Sequence, residues 1–171
     1  YWALKLLVKA WEASPKNKRI ITCIHPHVIP LTIVNPEEYG ALKTMSRGGK
    51  HLIACPYDTP LDRAFFGLWE KIGAKSGCGC KVPRDCIRVI IGDYCIEIYT
   101  SKKSHRSVDT IYHKNKVLTG DLLSALQQNL LGARSHNKVV LRKNPEYAEK
   151  LRQKITSEVE KSLGGRKSRA R

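Results

Sequence analysis

The chain has 171 residues, and its 31 lysines and arginines against 15 acidic residues give a formal net charge of +16 and an isoelectric point near 9.8. The length suits one domain, and an apolar content of 42% is that of a globular protein, which argues against wholesale disorder. No apolar run approaches the roughly 20 residues that span a bilayer, so the composition excludes transmembrane and collagen-like classes and predicts an anionic partner.

The first part of the chain predicts two helices and two strands. An amphipathic helix opens the chain and ends before Ser14-Pro15. β-Branched runs then predict strands over residues 19–24 and 28–34, the second at a sheet edge because Pro30 cannot donate to a ladder. Asn35-Pro36-Glu37-Glu38 begins the next helix, since asparagine caps free amides, proline fits the first turn and carboxylates favour the positive end of the dipole.

The middle of the chain predicts a helix between a short strand and a hairpin. Residues 50–55 form the strand, and Thr59-Pro60-Leu61-Asp62 begins a helix with one continuous apolar face. Residues 87–91 and 94–99 predict the hairpin, because Gly92-Asp93 between them suits a two-residue turn.

The last third of the chain begins with a polar segment and continues with predicted helices and a strand. Residues 101–116 are predicted as a basic loop with at most a weak strand at residues 109–113. A leucine-rich helix follows over residues 120–131, residues 138–141 predict a brief strand, and Asn144-Pro145-Glu146 begins the last helix.

The order of these elements predicts the fold class. We expect an α+β fold with a mixed, largely antiparallel sheet and about five helices, in a single compact domain over residues 1–163. Gly164-Gly165 is expected to break the last helix, and residues 164–171 are predicted to be a flexible basic arm that orders on phosphates.

The six cysteines predict reduced thiols. A secreted disulfide scaffold is normally shorter and richer in cysteine, and no signal peptide is visible. We therefore expect an intracellular, reducing environment such as the cytosol, an organelle or a virion. Because the chain opens at Tyr1 instead of Met, a missing targeting segment stays an open alternative.

Three cysteines lie within nine residues of a glycine- and lysine-rich loop. Cys78, Cys80 and Cys86 could occupy three corners of a zinc tetrahedron, with Cys95 as the predicted fourth ligand and Cys55 or a histidine as alternatives. Basic neighbours also predict lowered thiol pKa values, which suit a metal or a redox role equally. Thiols without a ligand and a disulfide or redox pair are the other interpretations.

His25-Pro26-His27 directly follows a predicted strand. Two imidazoles one residue apart on a strand point to the same face and can share a divalent metal. The triplet resembles the metal-binding motif of rolling-circle replication nucleases, which has a hydrophobic residue between its histidines. That resemblance implies a nucleophilic tyrosine, for which Tyr94, Tyr99 and Tyr112 are candidates. Proline at the middle position departs from the motif and favours a turn with two exposed histidines instead.

Other catalytic signatures are scarce. The sequence has no P-loop, no G-x-G-x-x-G after a strand and no G-x-S-x-G elbow. Most of its 15 acidic residues stand at helix starts, where capping explains them. The sequence therefore favours a non-catalytic protein.

Positive charge is concentrated towards the carboxyl end. Residues 101–171 hold seventeen lysines and arginines against six acidic residues, whereas residues 51–100 hold six of each. Two basic stretches and the arm predict phosphate contacts distributed over a folded RNA or a duplex. The predicted nucleic-acid-binding residues are Lys102, Lys103, Arg106, Lys114, Lys116, Arg134, Lys138, Arg142, Lys143, Arg166, Lys167, Arg169 and Arg171.

These patterns predict a non-catalytic nucleic-acid-binding protein, an RNA-associated subunit of a large ribonucleoprotein particle. RNA is expected rather than DNA, with recognition of backbone and shape, because no aromatic pair on a strand suits base stacking. One alternative is a viral matrix or accessory protein that docks on an anionic membrane or a capsid. The other is a metal-dependent nuclease or replication initiator that uses His25 and His27.

Overall fold

The computed structural model describes residues 2–31, 34–47, 50–131 and 138–169. These residues form an α+β fold in a single compact domain, which confirms the predicted class. The elements in chain order are α1 (Trp2–Ala13), β1 (Ile21–Ile24), α2 (Pro36–Ser46), β2 (His51–Ala54), α3 (Pro60–Lys71), β3 (Lys75–Gly77), β4 (Ile87–Ile91), β5 (Tyr94–Tyr99), α4 (Lys102–Lys114), α5 (Gly120–Leu131), β6 (Lys138–Lys143) and α6 (Pro145–Arg169).

The strands form one mixed sheet in the order β3-β2-β1-β4-β5-β6. β1, β2 and β3 pair in parallel, whereas the β1–β4, β4–β5 and β5–β6 pairs are antiparallel. The strands β1, β2, β3 and β5 therefore end at the same edge of the sheet, which we call the carboxyl edge. β4 and β6 begin at that edge, and we call the other one the amino edge.

Helices cover both faces of the sheet. α6 packs on one face, where Ile155 joins the core cluster that contains Ile24 of β1. The other helices cover the opposite face, where Phe65 of α3 joins the cluster that contains Cys23. Because neighbouring residues of a strand point to opposite faces, β1 is buried on both sides.

The predicted starts of α2 and α3 are confirmed. The Asn35 side chain accepts a hydrogen bond from the Glu38 amide at 2.9 Å, and the Thr59 hydroxyl accepts one from the Asp62 amide at 3.2 Å. Each carboxylate accepts a hydrogen bond from the cap amide in return, so both helices begin with a capping box.

The apolar segment predicted as a strand over residues 28–34 is not a strand in its described residues. The Val28 amide donates to Asp62 at 3.0 Å, and the Val28 carbonyl accepts from the Tyr112 hydroxyl. The Trp69 indole N–H donates a hydrogen bond to the Ile29 carbonyl at 2.9 Å. Side chains thus satisfy this backbone where a neighbouring strand would otherwise be needed.

The predicted loop over residues 101–116 is wrong, because most of it forms α4. Ser101 caps the helix by accepting a hydrogen bond from the Ser104 amide at 3.1 Å. Only Val108 and Tyr112 of this helix are buried, so its apolar stripe is too short to predict a helix by periodicity. The three-residue strand β3 also lies where no strand was predicted.

The carboxyl-terminal helix is longer than predicted. α6 continues through Gly164 and Gly165 to Arg169, so the expected glycine break does not end it. The backbone of the predicted arm is therefore helical as far as the structure describes it, and its mobility stays a prediction. No helix among the described residues is both long enough and apolar enough to cross a bilayer.

Candidate nucleic-acid interface

α4 brings the first group of predicted basic residues onto one exposed face. Its buried side chains, Val108 and Tyr112, are 8% and 1% exposed and face the core. Exposed cations occupy the other side: two at neighbouring positions, one a turn further along and one about two turns beyond that. We call this group the α4 surface, and it consists of Lys102, Lys103, Arg106 and Lys114.

Asp109 is the only carboxylate on α4, and histidines occupy both of its oxygens. Its Oδ1 accepts a hydrogen bond from His27 Nε2 at 2.9 Å, and its Oδ2 lies 3.8 Å from His105 Nε2. Within the described part of the chain, no ion pair involves a cation of the α4 surface. Four positive charges therefore face solvent without an acidic partner.

His27, in the loop after β1, links α4 to the carboxyl edge. Its Nδ1 lies 3.2 Å from Asp62 Oδ2 on α3, and its Nε2 bonds to Asp109 on α4. The imidazole is stacked between two phenol rings, with centroid distances of 4.5 Å to Tyr57 and 4.2 Å to Tyr112. These contacts fix the orientation of α4 relative to the sheet.

Both ring nitrogens of His27 face carboxylates. Nδ1 lies against Asp62 and Nε2 lies against Asp109, and an ionised carboxylate only accepts hydrogen bonds. His27 therefore joins two acidic residues from different helices.

Asp62 joins three parts of the structure at a fully buried position. It accepts hydrogen bonds from His27, from the Val28 amide at 3.0 Å and from the Thr59 hydroxyl at 2.7 Å. Burial acts to raise the pKa of Asp62, but the hydrogen bond and charge of His27, helped by Val28 and Thr59, outweigh it and lower the pKa below its usual value. Asp62 is therefore ionised at neutral pH.

A small cleft beside His27 offers little room for a substrate. Its volume is about 30 Å³, and its walls include Cys86, His105 and Tyr112. That volume is about the share of one liquid water molecule. Since both nitrogens of His27 are already engaged, the cluster positions α4 and leaves no ring nitrogen for a reacting group.

The basic residues of β6 are divided between two edges of the sheet. Lys138 begins β6 at the carboxyl edge. Towards the amino edge, Arg142 Nη2 lies 3.4 Å from Glu97 Oε2, and Lys143 Nζ lies 5.8 Å from the ring centroid of Tyr94. The structure therefore groups the α4 cations on one face and separates Arg142 and Lys143 from them.

The remaining predicted basic residues have mixed placements. Lys116 is exposed just beyond α4. Arg134 and Arg171 lie outside the described residues. The backbone of Arg166, Lys167 and Arg169 belongs to α6, but their side chains lie outside the description. Their nucleic-acid contacts stay a prediction.

The predicted zinc ligands Cys78 and Cys80 belong to two different core clusters, one on each face of the sheet. Cys78 belongs to the cluster on the α3 side of the sheet, and Cys80 belongs to the cluster beneath α6. Burial raises the pKa values of Cys86 and Cys95 to about 11 each. The lowering of thiol pKa values predicted for the loop cysteines is therefore wrong for Cys86. Among the described residues, no three His, Cys, Asp or Glu side chains are arranged to hold a metal, and zinc stays a prediction.

The histidine pair does not have the arrangement that the nuclease resemblance implies. His25 and His27 are only 6% and 5% exposed, so the predicted exposed turn is wrong. His25 lies against Trp69 with a ring-centroid distance of 6.2 Å, and burial lowers its pKa to about 4. The Tyr112 hydroxyl donates a hydrogen bond to the Val28 carbonyl, and burial raises the pKa of Tyr112 well above its usual value.

The partners of His27 were not identified from the sequence. Asp62 lies 35 positions away and had been explained as a helix cap, and Asp109 lies 82 positions away in a segment predicted as a loop. A helical prediction for α4 would have placed Asp109 beside Val108 and Tyr112. An acidic residue next to an apolar stripe is the signal that indicates a buried partner.

Comparisons of the chain with protein-family models, with curated proteins and with solved structures found no significant match in any of the three. The assignment of function therefore depends on the geometry described above.

Proposed function

We propose that the protein binds nucleic acid without catalysing a reaction, as an RNA-associated subunit of a large ribonucleoprotein particle, and that the α4 surface contacts the phosphate backbone. The division of charge on α4 carries this proposal. Four exposed cations lie on its outer side, and its single carboxylate, Asp109, is half-buried and hydrogen-bonded to His27 instead of to any of them.

The α4 surface has a suitable length for a polyanion. From Lys103 to Lys114 the helix rises about 17 Å at 1.5 Å per residue. A strand of a B-form duplex carries one phosphate about every 3.4 Å along its axis, so several phosphates fall within that length. The exposed side chains of α4 include no phenyl or indole ring, which supports contacts to backbone over base stacking.

Further cations extend the positive region along the carboxyl edge. Lys138 begins β6 there, and Lys116 follows α4. Arg84 is exposed in the segment before β4, with its guanidinium carbon 5.3 Å from the ring centroid of Tyr57. A positive region built from several elements supports an extended partner over a small anion.

A binding titration tests the proposal. We expect the variant Lys102→Gln, Lys103→Gln, Arg106→Gln, Lys114→Gln to bind a labelled, structured RNA at least about tenfold more weakly than the unmodified protein at 0.1 M salt, because each lost contact removes counterion release. Fluorescence anisotropy provides the affinities.

The matched control removes the same charge elsewhere. Lys9→Gln, Lys43→Gln, Lys71→Gln and Lys154→Gln change exposed lysines on α1, α2, α3 and α6. We expect this variant to keep its RNA affinity within about threefold. An equal loss in both variants would show that overall charge, and not the α4 surface, determines binding.

The choice of partner is tested by competition. We expect the structured RNA to be displaced less effectively by a DNA duplex of the same sequence than by unlabelled RNA, since RNA shape and 2′-hydroxyls contribute. Flotation with anionic vesicles in the absence of measurable RNA binding would replace this proposal with membrane docking.

A further inference from the structure

A second basic feature lies at the amino edge, between α6 and the beginnings of the parallel strands. It is a cavity of about 340 Å³, within the range of about 300–1,000 Å³ typical of small-molecule sites. Basic, polar and aliphatic side chains line it. They are Ile20, Lys50, Leu52, Lys75, Arg152, Thr156, Val159, Glu160 and Leu163.

Arg152, which lines this cavity, has hydrogen-bonding capacity left over. A guanidinium has five N–H donors, and the bonds to Glu149 and to the Gly92 carbonyl use two of them. Its Nε is buried and has no hydrogen-bond partner in the described structure, so the donors that remain for a ligand are on its Nη atoms.

The charges of the cavity select an anion. Among the described lining residues, Lys50, Lys75 and Arg152 are positive and Glu160 is negative, and Arg152 also pairs with Glu149 outside the lining. The two lysines, which are exposed, therefore supply the unpaired positive charge at the rim, and the guanidinium adds N–H donors suited to a phosphate.

The remaining lining residues indicate the chemistry of the part of the ligand that is not phosphate. They are aliphatic, from Ile20, Leu52, Val159 and Leu163, and none of the described residues that line the cavity is aromatic. Nucleobases usually stack on aromatic rings, whereas a hydrocarbon chain needs only apolar surface. We propose that this cavity binds a phosphate monoester with a short aliphatic chain, its phosphate near Arg152 and Lys75 and its chain against Leu52 and Leu163.

This site is independent of the proposed RNA interface. The cavity lies at the amino edge, whereas the α4 surface lies beyond the carboxyl edge. Loss of either activity therefore leaves the other to be measured on the same protein.

Isothermal titration calorimetry of the full chain with four compounds tests the ligand class. Hexyl phosphate is expected to bind at one site at least about tenfold more tightly than inorganic phosphate, because the cavity buries its methylene groups. Adenosine monophosphate and hexanol, which lack the aliphatic chain and the phosphate respectively, are expected to bind more weakly than hexyl phosphate. Absence of saturable hexyl phosphate binding, or equal affinity for inorganic phosphate, would overturn the proposal.

Variants locate the site. Lys75→Gln and Arg152→Gln are each expected to weaken hexyl phosphate binding at least about fivefold. Lys154→Gln, on the exposed side of the same helix, is the matched control and should leave it unchanged. Lys75 is exposed, so its variant keeps the test valid even where Arg152→Gln fails to fold. Equal loss in Lys75→Gln and Lys154→Gln would contradict this location.

A last variant tests the contribution of the ligand's aliphatic chain separately from that of its phosphate. Leu163→Ala is expected to reduce the preference for hexyl phosphate over inorganic phosphate about threefold or more while leaving the affinity for inorganic phosphate unchanged. An unchanged preference would rule out the placement of the aliphatic chain.

Discussion

α4 and β6 both carry clusters of lysine and arginine, but the structure uses these clusters differently. On α4 the only carboxylate is turned inward to His27, and the cations face solvent. On β6, Arg142 lies 3.4 Å from Glu97, and Lys143 lies over Tyr94. Charge density along a sequence therefore does not define a binding surface, because the position of the nearest carboxylate or ring decides which cations remain available.

The two regions are also attached to the fold in different ways. β6 is held by its backbone ladder to β5 over its whole length. α4 is held by side chains, through the burial of Val108 and Tyr112 and the hydrogen bond between His27 and Asp109. Substitutions in the His27 cluster should therefore disturb α4 far more than substitutions in β6 side chains disturb the sheet.

The largest effect is expected for Asp62→Ala. It removes the fully buried carboxylate that bonds to His27 and that caps α3, and breaking such a buried pair typically costs about 3–5 kcal/mol of unfolding free energy. Denaturant unfolding at pH 7 measures the loss. Asp58→Ala is the control, because Asp58 pairs with Arg63 at the surface and should contribute only about 0–1 kcal/mol. Similar losses in both variants would contradict the central role of Asp62.

Acid should weaken the packing around Trp69 next, because the buried rings of His25 and His51 lie against it. Burial lowers the pKa values of His25 and His51 to about 4 and about 3. Between their usual pKa near 6.5 and these values, the unfolded chain binds protons that the folded chain does not. The unfolding free energy should therefore fall as pH falls from about 6.5 to about 4, by up to about 1.4 kcal/mol per pH unit for each group.

Denaturant titrations at pH 7, 5.5 and 4.5 measure this slope. His25→Phe should reduce it, because the variant has no imidazole to protonate and its ring retains the contact surface against Trp69. Asp62 is expected to add to the loss only below its usual pKa of 3.8, because its folded pKa is lowered. A pH profile that is the same in His25→Phe and in the unmodified protein would contradict the assignment of this histidine.

A smaller effect is expected for Tyr112→Phe. The variant keeps the stacking on His27 but loses the hydroxyl that donates to the Val28 carbonyl, which is worth about 0.5–1.5 kcal/mol for a typical hydrogen bond. Thermal and denaturant unfolding measure the change. A change below about 0.3 kcal/mol would show that solvent replaces this hydrogen bond.

The smallest effect is expected for Arg142→Gln on β6. The Arg142 side chain is 58% exposed, so its ion pair with Glu97 should contribute only about 0.2–1 kcal/mol. Glu97 retains Arg88, whose Nε lies 3.1 Å from Glu97 Oε1. A loss above about 2 kcal/mol would show that Arg142 is essential to the buried carboxylate and would remove the contrast with α4.

Local chemistry explains what could be predicted from the sequence. The starts of α2 and α3 follow from Asn35-Pro36 and Thr59-Pro60, because a cap acts within four residues. The β4–β5 hairpin follows from Gly92-Asp93, where Gly92 adopts a φ of 56° that favours glycine.

Features that depend on distant partners could not be predicted in this way. The segment after Pro26 is apolar like a strand, but Asp62, Trp69 and Tyr112 bond to its backbone from other elements. The inner side of α4 is polar at Asp109 because His27, 82 positions earlier, lies against it. A single sequence does not identify the distant partner in either pairing.

The salt dependence of RNA binding tests the central claim most directly. Lys103→Gln/Arg106→Gln on α4 and Arg142→Gln/Lys143→Gln on β6 each remove one lysine and one arginine. For a duplex RNA, the slope of log affinity against log salt should become less steep by about 2 for the α4 pair and stay nearly unchanged for the β6 pair. A slope that changes equally for both pairs, or more for the β6 pair, would contradict the assignment of the α4 surface as the phosphate-binding face.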